Sequence, residues 1–397
     1  MLVFFVTLKK KKELLTFIKN NKVLSAALFL YGLGIHNVSP YMFVFIFAYY
    51  LLSGIKPKLN APQILTLLAL MSSVVTKDLF YINFFIKISI VSLVATMITQ
   101  RDRNSLIFCF EIIAFSYVLQ LMLVYLYNIS AGTILSRSLV HYSSKEEASA
   151  TGLACMLIPY CSLLPLFLYN KKLKSIGAAL FLICYFFALY INLILAGRTF
   201  FVLTAISVVC GFIISFIFNI GTRRRQVLEK TLGFITIVLL LVIAFYTQLS
   251  DVISDSNFYE RFFSDGHETI GETPRSEIVT FYLSHFEDAI WGGGYIREQL
   301  QGMMSHTLWL DVLDMQGFLV FAIVCLMTLY SWQIYLQFCR DKSLCVGIRV
   351  VLFSILIVFN LQFCLEPIIE GSPFLFEIYW LVVCMLRTSY GDTSRII

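Results

Sequence analysis

Apolar stretches of about 20 residues recur from end to end of this chain, each long enough to cross the hydrocarbon core of a bilayer as a helix. A transmembrane β-barrel would instead need segments of about 10 residues with alternating polarity, and these runs do not alternate. Charged residues make up only 14% of the chain, against about 25% in an ordinary soluble domain. The sequence therefore reads as an all-α polytopic membrane protein: a single transmembrane domain over 1–397 with one ordered insertion outside the membrane.

Apolar length and polar punctuation place about 12 transmembrane helices. They lie near 23–36, 40–55, 60–76, 79–99, 105–127, 149–169, 175–196, 199–219, 231–250, 307–334, 345–365 and 373–387. Cytoplasmic flanks hold positive charge. One side collects the basic residues of 9–22, Lys56, Lys58, Arg101, Arg103, Lys171, Lys172, Lys174, Arg223, Arg224, Arg225, Lys230, Arg340, Lys342, Arg349, Arg387 and Arg395. The other has Lys77, Arg137, Lys145, Arg198, Arg261, Arg275 and Arg297. Both termini are thus expected in the cytoplasm. A short loop at 129–148 and a large loop at 251–306 are expected on the outer face. Lys9 to Lys12 precede a span without a small-residue cleavage pattern, so the N-terminal segment reads as a retained anchor. The ten cysteines lie in or beside apolar runs, with no CxxC pair, which argues against zinc and against a disulfide framework.

Arg198 stands out because only Gly197 and Arg198 separate two spans, on the side where basic residues are disfavoured. It is either a snorkelling interface anchor or an anion clamp, since a guanidinium fork fits phosphate. Lys87 and Glu111 are the ionisable residues inside apolar runs; a structural pair is favoured over a proton relay, which needs more groups.

In the large loop, Thr273 and Pro274 read as an N-cap and a first-turn proline. Ile278, Tyr282, Phe286 and Ile290 then form one apolar stripe, ended by Gly292, Gly293 and Gly294. This helix is expected along the outer interface or on the spans, with Arg275 in its first turn, where a helix N-terminus favours anions. His306 opens the next span, and Asp311 and Asp314 follow in its outer half. Two carboxylates at that depth need a compensating partner, which arginines across the site would provide.

Three pieces in this order resemble the O-antigen polymerase and O-antigen ligase superfamily of bacterial membrane glycosyltransferases. They are Ala196-Gly197-Arg198-Thr199, then Pro274-Arg275-Ser276-Glu277 followed by Trp291-Gly292-Gly293-Gly294-Tyr295, then Ser305-His306-Thr307-Leu308-Trp309-Leu310-Asp311 with Gly317. The resemblance covers about residues 191–330. Thr307 stands where the family often has Asn, Ser or Gln, and Val320 where a small or polar residue is usual. These departures, with the Leu310-Asp311 pair, favour the polymerases over the ligases.

The resemblance implies a GT-C-like glycosyltransferase in the bacterial inner membrane. Its donor would be an oligosaccharide on undecaprenyl diphosphate, its product a surface polysaccharide extended by whole repeat units at the periplasmic face. Arg198 and Arg275 would neutralise the departing diphosphate. His306 is the first candidate to act on the acceptor hydroxyl, or else to bind diphosphate or sugar; Glu277 and Asp311 are lesser candidates for base or hydroxyl positioning. No acidic cluster has metal-ligand spacing, so neither metal nor another cofactor is expected. The partners are the lipid-linked oligosaccharide, the lipid membrane and, within this family, a chain-length regulator and a flippase; nucleic acid is not expected. The alternatives are a ligase whose acceptor is lipid A-core and, from another class, a polysaccharide flippase or transporter. A transporter would gather polar groups at mid-membrane, whereas these gather at one face. An intramembrane protease is not supported, because neither HExxH nor GxSxG occurs.

Overall fold

The computed structural model describes residues 16–102, 105–133, 138–169, 176–195, 198–218, 225–229, 231–233, 235–236, 274–341 and 344–391. Most of the run 231–250, the stretch 251–273 with Arg261, His267 and the proposed cap Thr273, and Arg137 lie outside the described residues.

The other apolar runs are helical. In chain order the helices are α1 (Lys22–Gly32), α2 (Met42–Leu52), α3 (Ala61–Thr76), α4 (Leu79–Arg101), α5 (Ser105–Ala131), α6 (Ala150–Met156), α7 (Ile158–Tyr169), α8 (Ile176–Ile194) and α9 (Arg198–Phe218). The large loop contributes α10 (Pro274–Ser284) and α11 (Tyr295–Gln299), and α12 (Leu308–Arg340), α13 (Val346–Leu365), α14 (Ile368–Gly371) and α15 (Pro373–Gly391) complete the chain. Among the described residues, five helices are long and apolar enough to cross a membrane: α4, α5, α9 from Thr199, α12 and α13. The protein is a helical membrane protein.

Two local departures from the sequence reading have clear causes. The run 149–169 is broken at Leu157 into α6 and α7, because Pro159 has no N–H to continue the α6 ladder and suits the first turn of a new helix. The 129–148 segment carries a small antiparallel ribbon, Ser138–Val140 (β1) against Glu147–Ser149 (β2). The Asn128 amide at the end of α5 acts as an extra strand partner for it. Its Nδ2 donates to the Val140 carbonyl at 2.7 Å and its Oδ1 accepts from the Val140 N–H at 2.9 Å.

The chain forms two compact units. The first comprises the described parts of Met1–Met42, Ile107–Gly266 and Phe338–Val358. In it the ribbon is tied to the turn after α1. The Tyr142 hydroxyl donates to the Leu33 carbonyl at 2.7 Å, and the His36 N–H donates to the Ser143 hydroxyl at 2.7 Å. His141 is buried under this lid-like turn. Its Nδ1 accepts from the Ser143 and Ser144 N–H groups at 3.2 and 3.3 Å, so the ring proton sits on Nε2. The Gln120 amide nitrogen lies 2.8 Å from Nε2; with the amide turned over, its oxygen would accept from that N–H.

The second unit comprises the described parts of Phe43–Leu106, His267–Gln337 and Phe359–Ile397. Helices α3 and α4 form a hairpin around Lys77, in left-handed conformation, and Asp78, whose carboxylate caps the Phe80 N–H at 2.9 Å. Lys56, Lys58 and Arg101 gather at the opposite end. There the Gln100 side chain donates to the Lys56 carbonyl, the Lys58 N–H donates to Thr96, and Arg101 stacks over Tyr50. Helix α15 lies on α4, with Phe376 against Phe84 and Phe363. The Tyr379 hydroxyl joins Ser331 and Asn360 in the apolar interior.

Burial lowers the His141 pKa from its ordinary 6.5, opposed by the Glu146 carboxylate and reinforced by His36. Because the folded state binds this proton less readily than the unfolded chain, stability is complete above about pH 7 and falls as pH drops through 6.5. The detergent-solubilised protein should melt at a lower temperature at pH 5.5 than at pH 7.5. A His141→Gln variant should show a smaller difference.

Candidate functional site

The site is built in the second unit around a break in α12. Gly317 has φ 80° and ψ 175°, which divides the helix into a short arm, 308–316, and a long arm, 318–340. The Trp309 indole N–H donates to the Thr328 hydroxyl at 3.2 Å. In a straight helix these residues would be about 28 Å apart along the axis, so the short arm bends back toward the long one. The long arm alone rises about 34 Å, enough for a core of about 30 Å. Asp311 and Asp314 were expected in the outer half of a continuous span; they belong instead to an arm that the crossing does not need.

The Gly292–Gly294 turn fills the break. The Phe318 N–H donates to the Ile290 carbonyl at 2.8 Å, and the Gly293 and Gly294 N–H groups donate to the Met315 and Asp314 carbonyls at 3.1 and 2.8 Å. The turn therefore satisfies the carbonyls that end the short arm. The backbones approach so closely that a Cβ on Gly292 would lie 2.6 Å from the Gly317 nitrogen, and one on Gly317 would lie 2.8 Å from the Ile290 oxygen.

From this corner Asp314 organises the loop. It is 1% exposed, and its carboxylate accepts from the Ile296 and Arg297 N–H groups at 3.0 and 3.1 Å. The Tyr282 hydroxyl donates to the same carboxylate at 3.4 Å. Burial, then the Asp314 charge, raise the Tyr282 pKa, so the phenol stays a donor. Arg297, held by α11, makes a bidentate ion pair with Glu370 of α14, at 2.7 and 2.6 Å. The Tyr81 hydroxyl at the start of α4 donates to the same carboxylate at 3.3 Å. The Arg297 pKa is raised by its hydrogen bond to Glu370, against desolvation, and by the charges of Glu370 and Asp311.

Asp311, also buried, takes the Ser305 N–H and hydroxyl on Oδ1 at 2.9 and 2.8 Å. Its Oδ2 has no hydrogen-bond partner among the described residues. Between Ser305 and the short arm, His306 adopts a left-handed backbone with φ 59° and is half-buried. The result is a polar cluster of Ser305, Asp311, Asp314, Arg297, Glu370 and Tyr81, with His306 next to Ser305 in the chain.

The expected site residues fare differently. Asp311 belongs to this cluster, and His306 directly follows Ser305, which holds the Asp311 carboxylate. Glu277 lies exposed in the first turn of α10, and its side chain has no hydrogen bond or ion pair to another described residue. Arg198 opens α9 in the first unit, and Arg275 is the second residue of α10 in the second unit; the side chains of both lie outside what is described. The loop helix, expected to run through Ile290, ends at Ser284 and is followed by a 3-10 turn, Phe286–Ala289. Helical periodicity is overridden by packing: Ile278, Tyr282, Ala289, Ile296 and Leu313 form one buried cluster, and the Phe286 ring meets Phe318 and Phe321 of the long arm. The arginine that compensates the acids is Arg297. Its partner Glu370 was not singled out from the sequence, although it lies in the short polar segment between two apolar runs. Lys87 is half-buried on α4 and Glu111 buried on α5.

No protein-family model matches the chain, and no curated protein matches it.

Two variants probe this architecture. Gly54→Ala meets left-handed strain at φ 78° with nothing within 4 Å, which should cost about 1–2 kcal/mol. Gly317→Ala adds overlap with the Ile290 and Trp291 backbone, so its loss of thermal stability should be clearly larger. At the ion pair, where both side chains are less than 20% exposed, Arg297→Ala or Glu370→Ala alone should cost about 3 kcal/mol, because each leaves a buried charge unpaired. The double variant should lose less than the sum, as a double-mutant cycle by chemical denaturation will read.

Proposed function

We propose that this protein is a surface-polysaccharide polymerase of the O-antigen type. It would transfer glycan from an undecaprenyl-diphosphate-linked donor to a lipid-linked repeat unit at the periplasmic face of the bacterial inner membrane. One observation carries the proposal. Two pieces through which the sequence resembles that superfamily, the Trp291–Tyr295 glycine turn and the 305–317 stretch, are distinct in sequence yet interlock backbone to backbone. Their junction supports a polar cluster with a buried, half-satisfied carboxylate. On this reading the chain has about 12 spans in a GT-C-like arrangement, both termini are cytoplasmic, and Lys56, Lys58 and Arg101 mark the cytoplasmic end of the second unit.

The chemistry follows from charge. In direct glycosyl transfer the acceptor oxygen attacks the anomeric carbon as its proton passes to a base. The bond from that carbon to the diphosphate oxygen breaks, and its electron pair leaves with the diphosphate. Arginines suit the departing diphosphate, and Arg198 and Arg275 take that role. A carboxylate suits the acceptor hydroxyl rather than a second anion. Asp311, with Oδ1 held by Ser305 and Oδ2 unused, is better arranged for it than the exposed Glu277. His306, which follows the Asp311-binding Ser305, orients the acceptor or shares its proton. Arg297 is committed to Glu370 and holds the loop in register.

The test is a lipopolysaccharide ladder from a deletion strain complemented with Arg198→Ala, Arg275→Ala, His306→Ala or Asp311→Asn. Each variant is expected to leave core capped with a single repeat. Core without any repeat would point to a ligase instead. Wild-type ladders from well-expressed Arg198→Ala and Arg275→Ala variants would refute the diphosphate clamp.

A further inference from the structure

The corner of α12 also carries an exposed apolar surface that the polar cluster does not use. Trp291 is 89% exposed, although its backbone is wedged against Gly317. Beside it Ile290 and Phe318, joined by a backbone hydrogen bond, are exposed, as are Leu319 on the long arm and Leu283 on α10. The patch does not end at the corner: Leu319, Leu326 and Leu329 are exposed along one face of the long arm, at helical spacing. That arm belongs to a helix long and apolar enough to cross a membrane, and the outward apolar face of such a helix suits lipid. The patch around Trp291 thus continues a lipid-facing stripe, at the end of the helix where the chain leaves the core. On the 3-10 turn Phe286–Ala289 just before it, Glu287 and Asp288 are exposed and charged, so exposed acids directly precede the exposed Ile290 and Trp291. An amphipathic element of this kind rests at the interface and does not enter the core, and tryptophan is the residue most at home there.

We infer that Leu283, Ile290, Trp291, Phe318 and Leu319 form a foot seated in the headgroup layer of the bilayer, with Trp291 as its anchor. The partner is the lipid surface itself. Because the Trp291 backbone is fixed to Gly317, the foot sets the height of the Gly292–Gly317 corner at the level of lipid headgroups. This inference does not depend on which reaction the site performs.

The experiment uses the full chain reconstituted in vesicles of phosphatidylcholine brominated either high on the acyl chain or near its end. The Trp291 signal is the difference in fluorescence between the wild-type protein and Trp291→Phe, a substitution at an exposed side chain that leaves the fold intact. High bromines should quench this signal roughly twofold more than deep ones, as for an interfacial indole, and aqueous iodide should quench it weakly. Strong iodide quenching with no effect of bromine position would overturn the inference. So would a Trp291 signal that ignores lipid and responds to added oligosaccharide, which would make this surface a sugar platform.

Discussion

Much of the candidate site rests on one backbone contact, the approach of 290–294 to 314–318. Neither Gly292 nor Gly317 has a Cβ, and either one would collide with the other strand's backbone. With both absent, the Gly293 and Gly294 N–H groups reach carbonyls that a helix end leaves without partners. The break in α12 is thereby stabilised, and the short arm folds back so that Trp309 reaches Thr328 of the long arm.

Electrostatics follows from that geometry in steps. Asp314, brought to the corner, accepts two N–H groups of α11 and so fixes where Arg297 emerges. Arg297 then meets Glu370 in a fork geometry that satisfies both carboxylate oxygens, and Tyr81 completes the shell. Buried charges are tolerable only when paired and hydrogen-bonded, and Asp314 and Glu370 meet that condition. Asp311 meets it on one oxygen alone. A buried carboxylate with an unused acceptor is costly for stability, which is why it stands out as the chemically available group.

The proposed foot places the same corner in a membrane context. The long arm supplies the apolar face and the glycine turn supplies Trp291. The polar cluster and the exposed apolar patch both depend on one bend, since Asp314 and Phe318 each bond the 290–297 segment across it. A change at Gly317 would be felt on both.

Membrane character and the helical runs were legible from residue order, because apolar length is a local property. The motif residues Gly292 to Gly294, Ser305, Asp311 and Gly317 could also be picked out from chain order, and the structure shows that the glycine turn packs on Gly317 while Ser305 bonds Asp311. Periodicity failed at Ile290, where packing of Phe286 and Ala289 on α12 ended the helix early. The Arg297–Glu370 pair was beyond reach, because 73 residues separate the partners and no spacing rule joins a loop arginine to one particular distant carboxylate. Nor does a helical run announce a bend: Gly317 permits φ 80°, but only the carbonyls and N–H groups of 290–294, arriving from elsewhere in the chain, make that conformation the stable one. Local composition thus settled what the chain dissolves in and which residues are unusual, while long-range hydrogen bonds and ion pairing chose which of them act together.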